Sequence, residues 1–102
     1  MSNQAKFPER NLLELLAPAK NLESGCEAIL PGADAVYIGG PGFGARAAAG
    51  NSLEDIAQLA EFAHRYRARV LVALNTILYE NELEAARQLA WQLYEAGADA
   101  LI

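Results

Sequence analysis

The stretch GGPGFGARAAAGN, residues 39–51, is the part of this sequence best suited to chemistry. It carries five glycines, at 39, 40, 42, 44 and 50, and a single charge, Arg46. Glycines let a backbone approach a ligand closely and expose N–H groups, while a guanidinium grips a carboxylate or phosphate through two parallel bonds. The pattern predicts a backbone-lined anionic site at Gly39, Gly40, Gly42, Gly44 and Arg46; the plainer alternative is a lid or packing loop. No Gly-Lys-Ser/Thr follows, so it is not a P-loop. The next helix starts only at Ser52, outside the glycine run, so it is not a dinucleotide fingerprint either.

Three further places could meet a ligand. Asn75-Thr76 ends the apolar run VLVAL, where a polar pair can face a substrate or simply make a turn. Glu14 sits inside LLELLAPA, expected as a strand with Leu12 and Leu16 on the same face; a carboxylate there needs a partner, in a salt bridge or in a ligand. Tyr37 lies near the end of an apolar run and its hydroxyl needs a hydrogen-bond partner when buried.

Other chemistry is missing. Peptide hydrolysis needs a nucleophile with a base, or a metal with bound water. The one histidine, His64, falls near a helix C-terminus, far from the predicted strand ends, and Ser24 and Ser52 are helix residues, Ser52 occupied as a cap. The one cysteine, Cys26, excludes an internal disulfide and a Cys/His metal set, and reads as a half-buried helix residue. No catalytic residue and no metal site is assigned.

The elements that position these residues follow from hydrophobic patterning. Four short, nearly continuous apolar runs, 12–16, 35–38, 70–74 and 100–102, read as parallel strands buried on both faces. Three helices separate them. The first, about 21–30, is stopped by Pro31-Gly32. The second is capped by Ser52 with Asp55 three residues on, and carries the stripe Leu53, Ile56, Ala57, Ala60, Ala63. The third is capped by Asn81 and carries Leu83, Ala86, Ala90 and Leu93, with Trp91 and Tyr94 expected to pack. Gly-Ala-Asp-Ala occurs twice, at 32–35 and 97–100, each time where a helix should end and a strand begin. The basic run HRYRAR, residues 64–69, falls where it complements the second helix's dipole.

This β-α-β-α-β-α-β pattern is an α/β fold of parallel units. It fits the N-terminal half of a (β/α)8 barrel, or an open doubly wound sheet. With 102 residues there is room for one domain: a flexible tail over 1–11, then a truncated barrel domain over 12–102. Half a barrel leaves a strand edge and apolar inner faces bare, so the chain is expected to dimerise through its sheet edge. Net charge is −5, which argues against a nucleic-acid surface on this segment. No apolar run is long enough to span a membrane, so the expected location is the cytoplasm.

The stretches ELLAPAKNLE, GADAVYIGGPGFGARAAAGNS, AHRY, LNTILYENELE and YEAGADALI occur in this order from Leu13 to Ile102. They resemble the start of the collagenase-like peptidase family, peptidase family U-thirty-two. Within it they are nearest the branch that makes 5-hydroxycytidine in large-subunit ribosomal RNA. The resemblance implies a β/α barrel and a much longer protein. That protein is expected to be an RNA pyrimidine hydroxylase, with an iron–sulfur cluster on cysteines beyond Ile102 and prephenate as hydroxyl donor. Prephenate is a dicarboxylate, which suits a glycine loop with Arg46. On this reading the 102 residues alone are inactive and hold no cofactor. The alternatives are a collagenase-like peptidase and a small anion- or metabolite-binding module.

Overall fold

The computed structural model describes residues 14–42, 50–74 and 83–102. The tail 1–11, Leu12, Gly44, Arg46, Asn75, Thr76 and the cap Asn81 lie outside the described residues. Strands β1 (Leu16–Ala19), β2 (Ala35–Gly39), β3 (Arg69–Ala73) and β4 (Ala100–Leu101) alternate with helices α1 (Leu22–Ile29), α2 (Leu53–Arg65) and α3 (Leu83–Ala96). The strands form one parallel sheet in the order β1-β2-β3-β4.

That sequential order separates the two architectures the sequence left open. A doubly wound sheet reverses its strand order at a switch point and places helices on both faces. Here the order never reverses, and the buried core lies on one face only. Val36 and Ile38 of β2 and Val70 and Val72 of β3 pack there with Ile29, Ile56, Leu59, Ala60, Ala63, Leu89 and Leu93 of the helices. The arrangement is that of half an α/β barrel, with four strands and three helices.

Local chemistry starts each helix. Asn21 accepts the Ser24 backbone N–H, and the Ser24 hydroxyl accepts the Asn21 N–H, a reciprocal box that leaves Leu22 as the first helical residue. Ser52 accepts the Asp55 N–H at 3.0 Å, as expected of a cap. His64 and Arg65 sit in the last turn of α2, where positive charge suits the dipole.

The helix exits share one device. Gly32, Arg67 and Gly97 all have positive φ, at 126°, 61° and 111°. Each donates to the carbonyl three residues back, and the alanine after it to the carbonyl five back: Ala33 to Ala28, Ala68 to Ala63, Ala98 to Leu93. These are Schellman turns, and all three alanines are buried. The next residue then ties the corner to the neighbouring strand. The Asp34 carboxylate accepts the Leu15 N–H at 2.8 Å, and the Asp99 carboxylate accepts the Val70 N–H at 2.8 Å. Because Leu16 pairs with Ala35 and Leu71 with Ala100, each aspartate binds the residue just before its strand's first partner. The repeated Gly-Ala-Asp is thus a register lock. The corner into β3 reads Arg-Ala-Arg instead, and there Arg69 pairs with the Glu14 carboxylate, reaching across β2 to the segment that leads into β1. This hydrogen bond raises the Arg69 pKa above its ordinary value.

Three expectations need correction. β1 runs over Leu16–Ala19, not 12–16, so Glu14 precedes the strand instead of lying within it. The leucine run drew attention upstream, yet the register with β2 selects LAPA. Among the described residues β1 is the outer strand of the sheet, a position where proline, lacking a donor, is tolerated. On α2, Leu59 is fully buried and belongs to the stripe, while Ala57 is only partly covered. On α3 the buried side chains are Leu89 and Leu93; Leu83 is exposed, as are Trp91 and Tyr94, which meet edge-to-face at 5.9 Å. The apolar arc of α3 is wider than the face that its contact with α2 covers.

Three substitutions test these corners. Asp99→Ala strips the acceptor from the buried Val70 amide and should lower the unfolding free energy by about 1.5–3 kcal/mol, the cost of a charge-assisted bond. Asp34→Ala should cost less in the same urea titration, since water reaches the exposed Leu15. Arg67→Gly should instead raise the unfolding free energy by about 1 kcal/mol, through relieved left-handed strain, and move the urea midpoint upward.

Candidate functional site

In parallel β/α folds ligands collect where strands deliver their C-terminal ends. Here those ends are Ala19, Gly39, Ala73 and Leu101, and the glycine loop leaves the sheet at Gly39. Gly40 still follows the sheet, donating its N–H to Ala73 at 3.0 Å. A Cβ at Gly40 would lie 2.7 Å from Val72 Cγ1. Gly50, with φ +83°, returns the chain to the same point: a Cβ there would stand 2.0 Å from the Gly40 carbonyl oxygen. Gly50 must be glycine because the two ends of the loop touch backbone to backbone there, whereas Gly40 is constrained by the side chain of the buried Val72.

Asn51 completes the clasp. Its side-chain amide donates to Gly39 O at 2.9 Å and to Lys20 O at 3.3 Å, tying the ends of β1 and β2 to the start of α2. Reading residue types missed this role. The available signal was an asparagine with two donors, placed between a glycine loop and a serine cap. Lys20, exposed just after β1, adds a cationic residue to the same edge.

Tyr37 lies on the face of β2 that carries no helix, beside Pro18 and Leu71 and two residues before Gly39; it is 37% exposed. Tyr37, Gly39, Gly40 and Gly42 therefore gather at one end of the sheet. Glu14 is at the other end, before β1, paired with Arg69. Gly44, Arg46 and Asn75 lie outside the described residues.

The two ends differ in kind. The N-terminal end carries the carboxylates: Glu14 on Arg69, Asp34 on the Leu15 amide, and Asp99 on both Val70 N–H and His64 Nε2, the last at 2.8 Å. The C-terminal end carries the Tyr37 phenol, the exposed Lys20 and the base of the glycine loop, with the Asn51 amide already engaged on two carbonyls. The N-terminus of α2 is not itself an anion site, since Glu54 and Asp55 occupy its first turn and already answer its dipole. Among the described residues no group of three or more His, Cys, Asp or Glu could hold a metal ion. Cys26 sits mid-helix in α1 against the core, and burial raises its thiol pKa. Such an edge can bind and orient a ligand through the phenol and the lysine. A shallow groove of about 370 Å³ lies elsewhere, on the flank of α3, lined by Arg87, Ala90, Trp91 and Tyr94.

Sequential parallel strands with three alternating helices on one face are the arrangement of a β/α half-barrel. The family model described as Peptidase family U32 matches residues 20–102, and the chain belongs to that family. It is 63% identical over 90 residues to the 23S rRNA 5-hydroxycytidine C2501 synthase of Escherichia coli, covering 88% of this chain and 14% of that protein. It is 39% identical over 90 residues to tRNA hydroxylation protein P1 of Bacillus subtilis, covering 87% of this chain and 21% of the relative. It is 31% identical over 94 residues to a collagenase of Porphyromonas gingivalis, covering 90% and 23% respectively. The chain thus spans less than a quarter of the length of each of these relatives. No solved structure matches it. No helix among the described residues is long and apolar enough to cross a membrane.

The clasp can be tested directly. Asn51→Ala should lower stability by about 0.5–1.5 kcal/mol in urea, since water partly replaces its bonds to two carbonyls. Gly50→Ala should cost more, at least the roughly 1–3 kcal/mol of a strained backbone, because its Cβ also meets the Gly40 carbonyl. Equal losses would show that the loop base is not closed on Gly40.

Proposed function

We propose that these residues form the first part of the barrel of an RNA-modifying protein that hydroxylates a pyrimidine base, acting in the cytoplasm. On this reading the barrel is closed in the complete protein, and loop 39–51 forms one wall of a pocket for an organic hydroxyl donor. The observation that carries it is the identity gradient: 63% to a ribosomal RNA 5-hydroxycytidine synthase against 31% to a collagenase, over nearly the same stretch. The chemistry of the binding edge agrees. The Tyr37 hydroxyl stands at this end of the sheet, and a loop rich in glycine with one arginine is a composition suited to a small dicarboxylate such as prephenate.

An iron–sulfur cluster does not fit this chain's own residues. The sequence has a single cysteine, and Cys26 packs against the core in α1. In the proposed function such a cluster is held elsewhere in a longer protein, and the present residues bind and orient the donor. The net charge of −5 likewise leaves RNA contacts to other parts of that protein. The peptidase reading has the collagenase match in its favour, but the binding edge carries a phenol, a lysine and an engaged amide where hydrolysis needs an activated nucleophile.

The test is genetic and chemical. Deleting the gene should abolish one hydroxylated pyrimidine in the RNA nucleoside profile read by mass spectrometry; an unchanged profile overturns the proposal. Complementation with Arg46→Ala should restore about 1–10% of the modification at limiting donor, as expected on losing a charge-assisted contact of about 1.5–3 kcal/mol. Excess donor should recover much of it.

A further inference from the structure

We infer that Lys20 and Gly39 form a carboxylate subsite at the C-terminal end of the strands. The Lys20 ammonium holds one carboxylate of a small organic anion, and the bare backbone at Gly39 is the floor against which that anion lies. The inference deepens the proposed function, and rests on it for placing the donor at this end of the strands.

Gly39 is the observation that points to a ligand. Gly39, Gly40 and Gly50, all at the base of the loop, differ in why they are glycine. Gly50 has a positive φ and no room for a Cβ, and a Cβ at Gly40 would stand 2.7 Å from Val72 Cγ1. Gly39 lies within β2, in regular register with Ala73 and without a positive φ, and a Cβ there would meet nothing within 4 Å. Neither its backbone nor its described neighbours ask for glycine. A glycine inside a strand weakens it, and otherwise marks a bulge, a bend or the close approach of a ligand or another backbone. The unbroken register with β3 leaves no bulge there, and close approach of a ligand accounts for it.

Lys20 stands beside this position. The last registered pair of β1 and β2 is Ala19 with Ile38, so the next residues along the two strands are Lys20 and Gly39. The Asn51 amide donates to the carbonyls of both, at 3.3 and 2.9 Å, and the Lys20 N–H donates to the Ser24 hydroxyl at 2.9 Å. The lysine backbone is thus pinned on both sides, while its side chain is exposed. The ion pairs among the described residues are His64 with Asp99, Arg69 with Glu14 and Arg87 with Glu84; Lys20 takes part in none of them. Neighbouring strands lie about 4.8 Å apart, within reach of a lysine's four-carbon stem. Tyr37, two residues before Gly39 on β2, shares its side of the strand, and the phenol can donate to the second oxygen of the same carboxylate.

The test uses the complete protein with prephenate as the probe, in isothermal titration calorimetry beside urea unfolding. Lys20→Met should weaken binding about 10- to 100-fold, the scale of one charge-assisted contact, and Lys20→Arg should recover most of that loss. Neither should move the urea midpoint. Gly39→Val should weaken binding at least as much by filling the floor, with the urea midpoint unchanged or raised, because valine suits a strand. Binding that either Lys20→Met or Gly39→Val leaves unchanged overturns the inference alone, and the proposed function stands. A lowered midpoint for Gly39→Val also overturns it, since the glycine then serves packing. A wild-type protein that does not bind prephenate overturns both the subsite and the proposed donor. Binding that depends on Lys20, in a protein whose deletion leaves the RNA nucleoside profile unchanged, supports the subsite and overturns only the proposed function.

Discussion

The three left-handed helix exits, each followed by a residue that ties the corner to a neighbouring strand, are the constraint on which the remaining structure depends. A Schellman turn fixes where each helix stops, and a buried alanine seats that end beneath the helix layer. An aspartate then takes the N–H of the adjacent strand. At the two aspartate corners the strand starts three residues after the left-handed glycine, Gly32 to Ala35 and Gly97 to Ala100. Where Arg69 replaces the aspartate, its ion pair with Glu14 spans the three strands at that corner. The small, buried Ala35 stands in register between Leu16 and Arg69, leaving room on the strand for this longer contact.

Fixing the corners at one end releases the other. Carboxylates and their partners are concentrated at the N-terminal end of the strands, where they act on stability. The C-terminal end is left to backbone groups, an asparagine clasp and a glycine loop, where a ligand can be met. This division is usual in β/α barrels, and here it has a chemical basis. Ionised side chains spent on register would compete with an anionic ligand if they stood at the binding end.

Much of this was legible in the residue pattern. Ser52 with Asp55, Pro31-Gly32 and Gly97 marked helix boundaries by local rules that tertiary packing does not override. The apolar runs at 35 and 70 form strands as their composition suggested, but the expected burial on both faces holds only on the helix side: Tyr37 is 37% exposed and Leu71 half-buried on the other. Failures came where packing, not local preference, decides. Five apolar or acidic residues before Ala17 made LLELL look like the strand, but only pairing with β2 selects Leu16–Ala19. The α3 stripe was misjudged because its apolar arc is broad and only contact with α2 picks the buried side. Asn51 escaped notice because its two acceptors, 12 and 31 residues away, are adjacent only once the sheet has formed.

The contact between Gly40 and Gly50 has a bearing on how such proteins diversify. The chain departs from the sheet and comes back to it at one point, where a Cβ on Gly50 would stand 2.0 Å from the Gly40 carbonyl oxygen. New specificities can be tried there by exchanging the intervening residues as a cassette, with the scaffold paying no penalty for each trial. A shared framework with interchangeable inserts is one route by which a single lineage comes to include proteins named for such different chemistries.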